Sequence, residues 1–261
     1  MKKYLELFIM ELKMMTLARW RYKMNMISDI IMIVGIFIIV FFCTDDQTLS
    51  NYYHLSVEKN SILLFMGYLF WQFASLALGF STSIITSEAS EGVLEVKVQS
   101  VYNIILLYFI KLLVSLISNF LIFISLIAIL PLFAEISLYD ILYFLLIVII
   151  NIPSIIGMYG IGLMISCFTI KEKKGSNLVL IIQSLLIFIS NVTRPLQMSV
   201  ILLIPYSLGI ELSRKLYSGI SVLPYEIILY IFINIIWLVV GMYLFNRSLE
   251  NTRRVGSFDT Y

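Results

Sequence analysis

The chain is short of charge. Of its 261 residues only 13% are Asp, Glu, Lys or Arg, whereas 61% are hydrophobic. A soluble domain of this length has too much surface to hide so many apolar side chains, so lipid must take up the excess. Histidine occurs once, as His54, and cysteine twice, as Cys43 and Cys167. One histidine builds no metal cluster. Both cysteines fall inside apolar runs, which points to lone buried thiols rather than a disulfide. No G-x-x-x-x-G-K-[ST] phosphate loop, no H-E-x-x-H and no G-x-S-x-G occurs. No small-residue cleavage site follows the first apolar run, so that run is expected to stay as an anchor rather than leave as a signal peptide. No internal repeat or low-complexity tract divides the sequence, and one domain over 1–261 is expected.

What the chain has is long apolar runs. A bilayer core of roughly 30 Å needs about 20 apolar residues per helix. Runs of that order cover 26–44, 61–87, 104–134, 141–170, 175–193 and 227–246. They lack the period-two polar alternation of a β-barrel. Helices are the other spanning solution, because lipid offers no partner to an open backbone. The expected fold is therefore all-α, a polytopic membrane protein with six transmembrane helices. The fourth run is too long for one upright helix, at about 45 Å for 1.5 Å per residue. It contains Asn151, Pro153, Gly157, Gly160 and Gly162, so a tilt or a kink near Pro153 is expected.

Orientation follows from the basic residues. One side of the six runs carries Lys2, Lys3, Lys13, Arg19, Arg21, Lys23, Lys97, Lys111, Lys171, Lys173, Lys174, Arg247, Arg253 and Arg254. The other carries only Lys59, Arg194, Arg214 and Lys215. The rich side is expected to be cytoplasmic, which places both termini inside. A net charge of only +2 names no partner, and no nucleic acid is expected. The isoleucine-rich, alanine-poor composition suggests a bacterial chain, and hence the plasma membrane.

Three stretches outside the runs read as structured. The first is the N-terminal segment 1–25, where Leu5, Phe8, Ile9, Leu12, Met15 and Thr16 share one side of a helix. It is expected to lie in the cytoplasmic interface, and a simple basic flank of the first span is an equally simple reading. The second spans 88–100. Glu88, Glu91 and Glu95 sit at i, i+3 and i+7, which gives a short cytoplasmic helix an acidic stripe. A solvated loop that tolerates charge anywhere is an equally simple reading. The third, 194–226, contains an apolar stretch too short to span and then Pro205. It fits a short re-entrant or interfacial segment.

Ions or protons crossing a bilayer need ionisable groups along the way. The carboxylates here fall nearly all at loop positions; only Asp29 reaches into a run, at its cytoplasmic edge. The intramembrane polar groups are the amides Gln72, Asn119, Asn151 and Gln183, a residue type that more often joins neighbouring helices than binds substrate. The chain can form a path but carries no engine and no catalytic group. An amphipathic acidic helix held at the membrane would be a docking surface for an engine.

The stretch Ser87-Glu88-Ala89-Ser90-Glu91-Gly92-Val93-Leu94-Glu95 resembles the Glu-Arg-Glu-x-Gly-Thr-Leu-Glu signature of the type-2 ABC exporter permeases. Met66-Gly67-Tyr68 and 80–85 precede it as in that family. Ile189-Ser190-Asn191 with Pro195, and the stretch from Ile204 to Arg214 with Pro205, Tyr206 and Glu211, resemble the family's end of span five and its external segment. The resemblance covers most of the chain. It implies two permease chains, identical or different, paired in the membrane above two copies of a separate ABC ATPase subunit. ATP and Mg would be bound by that subunit, and this chain would need no cofactor of its own. It further implies that Glu88, Glu91, Gly92, Leu94 and Glu95 belong to a coupling helix seated in a groove of the ATPase. The path would run along spans two and five, where Trp71, Gln72, Gln183 and Ser184 are the candidates to line it. The expected function is the permease subunit of an exporter of a drug, an antimicrobial peptide or another amphiphile. The alternatives are a motorless immunity or scaffold protein that sequesters a peptide and a membrane enzyme of lipid metabolism. The last needs a cluster of catalytic acids or histidines that this sequence does not supply.

Overall fold

A computed structural model describes residues 2–44, 47–98, 103–172, 176–195 and 204–255. Its elements are α1 (Lys2–Arg21), α2 (Lys23–Cys43), α3 (Thr48–Tyr52), α4 (Asn60–Ser90), α5 (Leu94–Val98), α6 (Ile104–Ile129), α7 (Leu138–Ile150), α8 (Ile152–Glu172), α9 (Ser176–Ile189), α10 (Ser207–Tyr217) and α11 (Pro224–Val255). No strand occurs among the described residues. Among the described residues, five helical stretches are long and apolar enough to cross a membrane: Lys23–Cys43, Val57–Ser90, Ile104–Leu132, Ile152–Ile170 and Pro224–Thr252. Leu138–Ile150 and Asn177–Ile189 are apolar but shorter. The chain is a helical membrane protein.

α4 is the axis of the molecule. Ile62 to Ala74 is buried without interruption, and α2, α6, α7, α8 and α9 all pack against it. Its apolar side chains are buried all round, as in the core helix of a bundle. α8 joins α4 on one face and α11 on the other, and glycine permits both contacts. A Cβ on Gly241 would stand 2.0 Å from the Gly160 carbonyl oxygen, and one on Gly162 would stand 2.5 Å from that of Leu78. Small residues let backbones approach this closely where lipid provides no hydrophobic drive between helices. The outer faces of α2, α9 and α11 remain apolar and exposed, as at Ile31, Leu185 and Ile228, which suits contact with lipid.

Several expectations need correction. The run 141–170 is two helices, α7 and α8, parted at Asn151. Pro153 sits in the first turn of α8, where a missing N–H removes no helical hydrogen bond. The stretch 88–100 is not one helix. α4 continues to Ser90, Glu91 caps it, and Gly92 turns the chain at φ 70°. Val93 N–H then donates to Glu88 O (2.9 Å) and Gly92 N–H to Ala89 O (3.2 Å), the paired bonds of a Schellman C-cap. Glu88 and Glu91 therefore ride on α4 while Glu95 rides on α5, and the acidic stripe does not form. Cys43 is exposed and Cys167 half-buried, not fully buried as expected, and the Cys167 thiol donates to Leu163 O (3.4 Å). Residues 173–175, 196–203 and 256–261 lie outside the described residues. They include Lys173, Lys174 and nearly all of the apolar stretch before Pro205.

Candidate functional site

Polar residues gather at three levels along α4. Midway, α2, α4, α6 and α9 enclose a cleft of about 240 Å³. All four sequence candidates for a path, Trp71, Gln72, Gln183 and Ser184, line it, together with Asp29, Ser75 and Asn119. The α4–α9 wall is clamped by two reciprocal hydrogen bonds. Trp71 Nε1–H donates to Gln183 O (3.0 Å), and Gln183 Nε2–H donates back to Ser75 O (2.7 Å). Gly79 makes room for this, since a Cβ there would stand 2.9 Å from Gln183 Nε2. Asn119 donates to Ser115 O on its own helix (2.9 Å), and Ser184 to Leu180 O (2.8 Å).

Two groups in the cleft are less well served. Ser75 Oγ is buried with no partner. The Gln72 amide is 8% exposed and makes no hydrogen bond among the described residues. A concave, largely apolar site with a few convergent unsatisfied polar groups is what a ligand pocket requires. The reading of these amides as inter-helix links holds for Gln183 and fails for Gln72. Ser75 went unnoticed in the sequence, although its place three residues after Gln72 on one helix was the available signal.

At the far end of α4, about 20 Å from Ser75 at 1.5 Å per residue, Glu88 forms a knot. Its side chain is only 6% exposed. Tyr108 O–H donates to Oε2 (2.9 Å), Lys111 Nζ to Oε1 (3.2 Å), and Lys97 also to Oε1. Lys111 reaches Glu11 on α1 as well (3.8 Å). One carboxylate thus ties α4, the α5 turn and α6 together, and α1 joins through Lys111. Glu88 faces inward and is not part of a docking face, a second correction to the sequence reading. Placing nearly all carboxylates at loops fails for the same residue, and also for Asp140. Asp140 is buried in the first turn of α7, where it forms a capping box with Ser137. Glu91 remains exposed and accepts from Ser87 Oγ (2.9 Å). Leu94 is buried, which anchors α5. Gly92 is open on all sides. For Glu95 only the backbone lies within the described residues.

The other end of α4 is held by Arg214 on α10, which is fully buried. Nε and Nη2 donate to Leu63 O (3.0 and 2.8 Å), Nη1 to Asn191 O (2.5 Å) and Nη2 to Val192 O (2.7 Å). Burial pulls the guanidinium below its ordinary range, and Tyr53 and Glu211 oppose that. Arginine stays charged regardless, because its reference value is so high. Tyr53 stacks on it at 6.0 Å and donates to Glu211 Oε2 (2.5 Å). Burial raises the Tyr53 phenol, so it stays a donor. Lys215, opposed by burial but held by Glu226 at 2.7 Å and by Glu211, is raised. Tyr206 is buried and donates to Leu186 O (2.9 Å), and Pro205 O accepts from Asn234 (3.2 Å). Glu211 and Arg214 thus meet at Tyr53 while Pro205 and Tyr206 bond elsewhere, and all four are buried rather than part of an open site.

The chain matches no protein-family model and no curated protein sequence.

Proposed function

We propose that this chain is the permease subunit of an ABC exporter. In this reading it crosses the membrane six times with both termini in the cytoplasm, forms the translocation path with a second permease chain, and is driven by a separate ATPase. The six crossings would be α2, α4, α6, α7 with α8, α9, and α11. α9, too short by itself, would be completed by the irregular turn that follows it at 190–194. α1 would be the interfacial element, with apolar Leu5, Ile9, Met10 and Leu17 exposed along it.

The observation that carries the reading is the Glu88 knot. The turn 91–93, with exposed Glu91, is bound through one buried carboxylate to the ends of two long helices. Displacement of that turn by a partner would therefore pass into α4 and α6, and both line the polar cleft. A loosely attached loop would absorb the push. The resemblance of 87–95 to the family's coupling signature supplies the partner's class. Gln72 and Ser75 supply polar groups for cargo inside an otherwise apolar wall, which suits an amphiphile.

The test is affinity purification of the tagged chain in mild detergent from its native membrane. An ABC ATPase recovered in near-equal amount is the expected result, and Glu91→Lys with Glu95→Lys should abolish that recovery while membrane insertion survives. Charge reversal at a contact of this kind costs about 2–5 kcal/mol when the partner charge is left unpaired. Recovery of the chain alone, under conditions that preserve known transporter complexes, would overturn the reading in favour of a motorless immunity or scaffold protein.

A further inference from the structure

Where α1 turns into α2, the two helices and α6 leave an apolar groove of about 540 Å³, within the roughly 300–1,000 Å³ that ligand sites span. Leu12, Met26, Ile27, Ile117 and Leu121 form its walls, and Arg19, Trp20 and Lys23 its rim. The rim is built rather than incidental. Arg19 is half-buried, and its Nη1 donates to Ser118 O on α6. This reaches across from α1 and fixes the guanidinium at the mouth of the groove. Lys23 Nζ lies 4.7 Å from the centre of the Trp20 ring, which is itself 76% exposed. The acid that acts on Arg19 is Asp29, two turns into α2; Glu11 on α1 is engaged by Lys111. Asp29 lines the cleft beside α4, so the groove's own described lining carries two cations and no carboxylate.

We infer that this groove is a binding site for an anionic phospholipid, with Arg19 and Lys23 holding the phosphate and an acyl chain lying along Met26, Ile27, Ile117 and Leu121. Charge complementarity selects the occupant. A basic mouth above an apolar trough matches a lipid that is anionic at one end and hydrocarbon at the other. A zwitterionic lipid would bring its own cation to the same mouth. Trp20 marks the level at which head groups meet hydrocarbon, where aromatic rings with a polar edge concentrate. Lys23 begins α2, the first helix long and apolar enough to cross, so the mouth sits where the chain enters the bilayer. The inference does not depend on the transport reading, since it needs only that α2 and α6 lie in lipid.

The experiment is native mass spectrometry of the full chain released from mixed vesicles of phosphatidylglycerol and phosphatidylcholine. The wild type should keep one phosphatidylglycerol per chain in preference to phosphatidylcholine. Arg19→Gln with Lys23→Gln should lower that preference by about thirty-fold, taking one charge–lipid attraction lost at each cation. Lys13→Gln with Arg21→Gln removes the same charge from exposed positions of α1 and should leave the preference within about two-fold, since scattered surface charge is weakly held. Leu121→Trp, which fills the trough and keeps both cations, should reduce retention. No preference in the wild type overturns the site. Equal loss in both double variants also overturns it, because the effect is then general surface charge. Size-exclusion profiles confirm that each variant remains folded before its spectrum is compared.

Discussion

The two ends of α4 each hold a buried charge, and they hold it in opposite ways. Arg214 spends its hydrogen bonds on backbone carbonyls, those of Leu63, Asn191 and Val192. Glu88 is met by side-chain tips, from Lys97, Tyr108 and Lys111. The Leu63 carbonyl cannot move without α4, and those of Asn191 and Val192 are backbone of the turn after α9, so the Arg214 end is a pin. The tips of Lys97 and Lys111 are partly exposed and can swing into water, so the Glu88 end is a joint. The proposed transport cycle would use both, a fixed end to lever against and a movable end on which a partner would act. The pin lies on the side of the turn that follows α9 and the joint beside the turn 91–93.

Arg214→Met is expected to give the largest effect. It strands the three carbonyls and leaves Glu211 with one cation fewer, a loss of about 3–5 kcal/mol by comparison with other broken buried charge contacts. Denaturant unfolding in micelles, followed by circular dichroism, measures it. Stability within about 1 kcal/mol of the wild type would show that the pin is not one, taking that value as the ordinary worth of a single hydrogen bond.

Glu88→Gln should have a smaller effect, about 1–3 kcal/mol, because its lysines can find water. The sharper measurement is the cycle with Lys111→Gln. A coupling between roughly 0.5 and 3 kcal/mol is expected for groups in one network. Additive effects would mean that Lys111 is not part of the joint.

Gly92→Ala and Gly219→Ala compare the two ends at the smallest scale. Both glycines close helices in the left-handed region, at φ 70° and 71°, with nothing near the missing Cβ. Each substitution should cost about 1 kcal/mol from backbone conformation alone. If the joint is the mobile end, Gly92→Ala should also raise proteolysis of the 91–103 segment, whereas Gly219→Ala should leave its own segment protected.

Much of the architecture was legible in the residues. Charge-free runs announced helices, and some ends fall close to those observed, as for 61–87 against Asn60–Ser90, whereas 227–246 stops nine residues short of Val255 and 141–170 is two helices. Trp71, Gln72, Gln183 and Ser184 meet in one cleft although over a hundred positions separate the two pairs. Less legible was anything that depended on which way a carboxylate faces. Glu88, Glu91 and Glu95 have helical spacing, but a glycine that ends the helix at 92 cancels the spacing argument. The partners of Glu88 lie up to 23 residues ahead of it and, through Lys111, as far back as α1.

Composition, with the absence of period-two alternation, determined that this chain suits lipid and is built of helices, because only helices and closed barrels satisfy a polar backbone without water. Charge-free runs located most of the helices. Only the tertiary structure decided that Arg214 is a pin, that Glu88 is a joint, and that Gln72 faces a cleft instead of a neighbouring helix. The reason is physical. Solvation of apolar surface is additive along a sequence, whereas the fate of a buried polar group depends on the few atoms that reach it, and those come from elements the sequence does not place side by side.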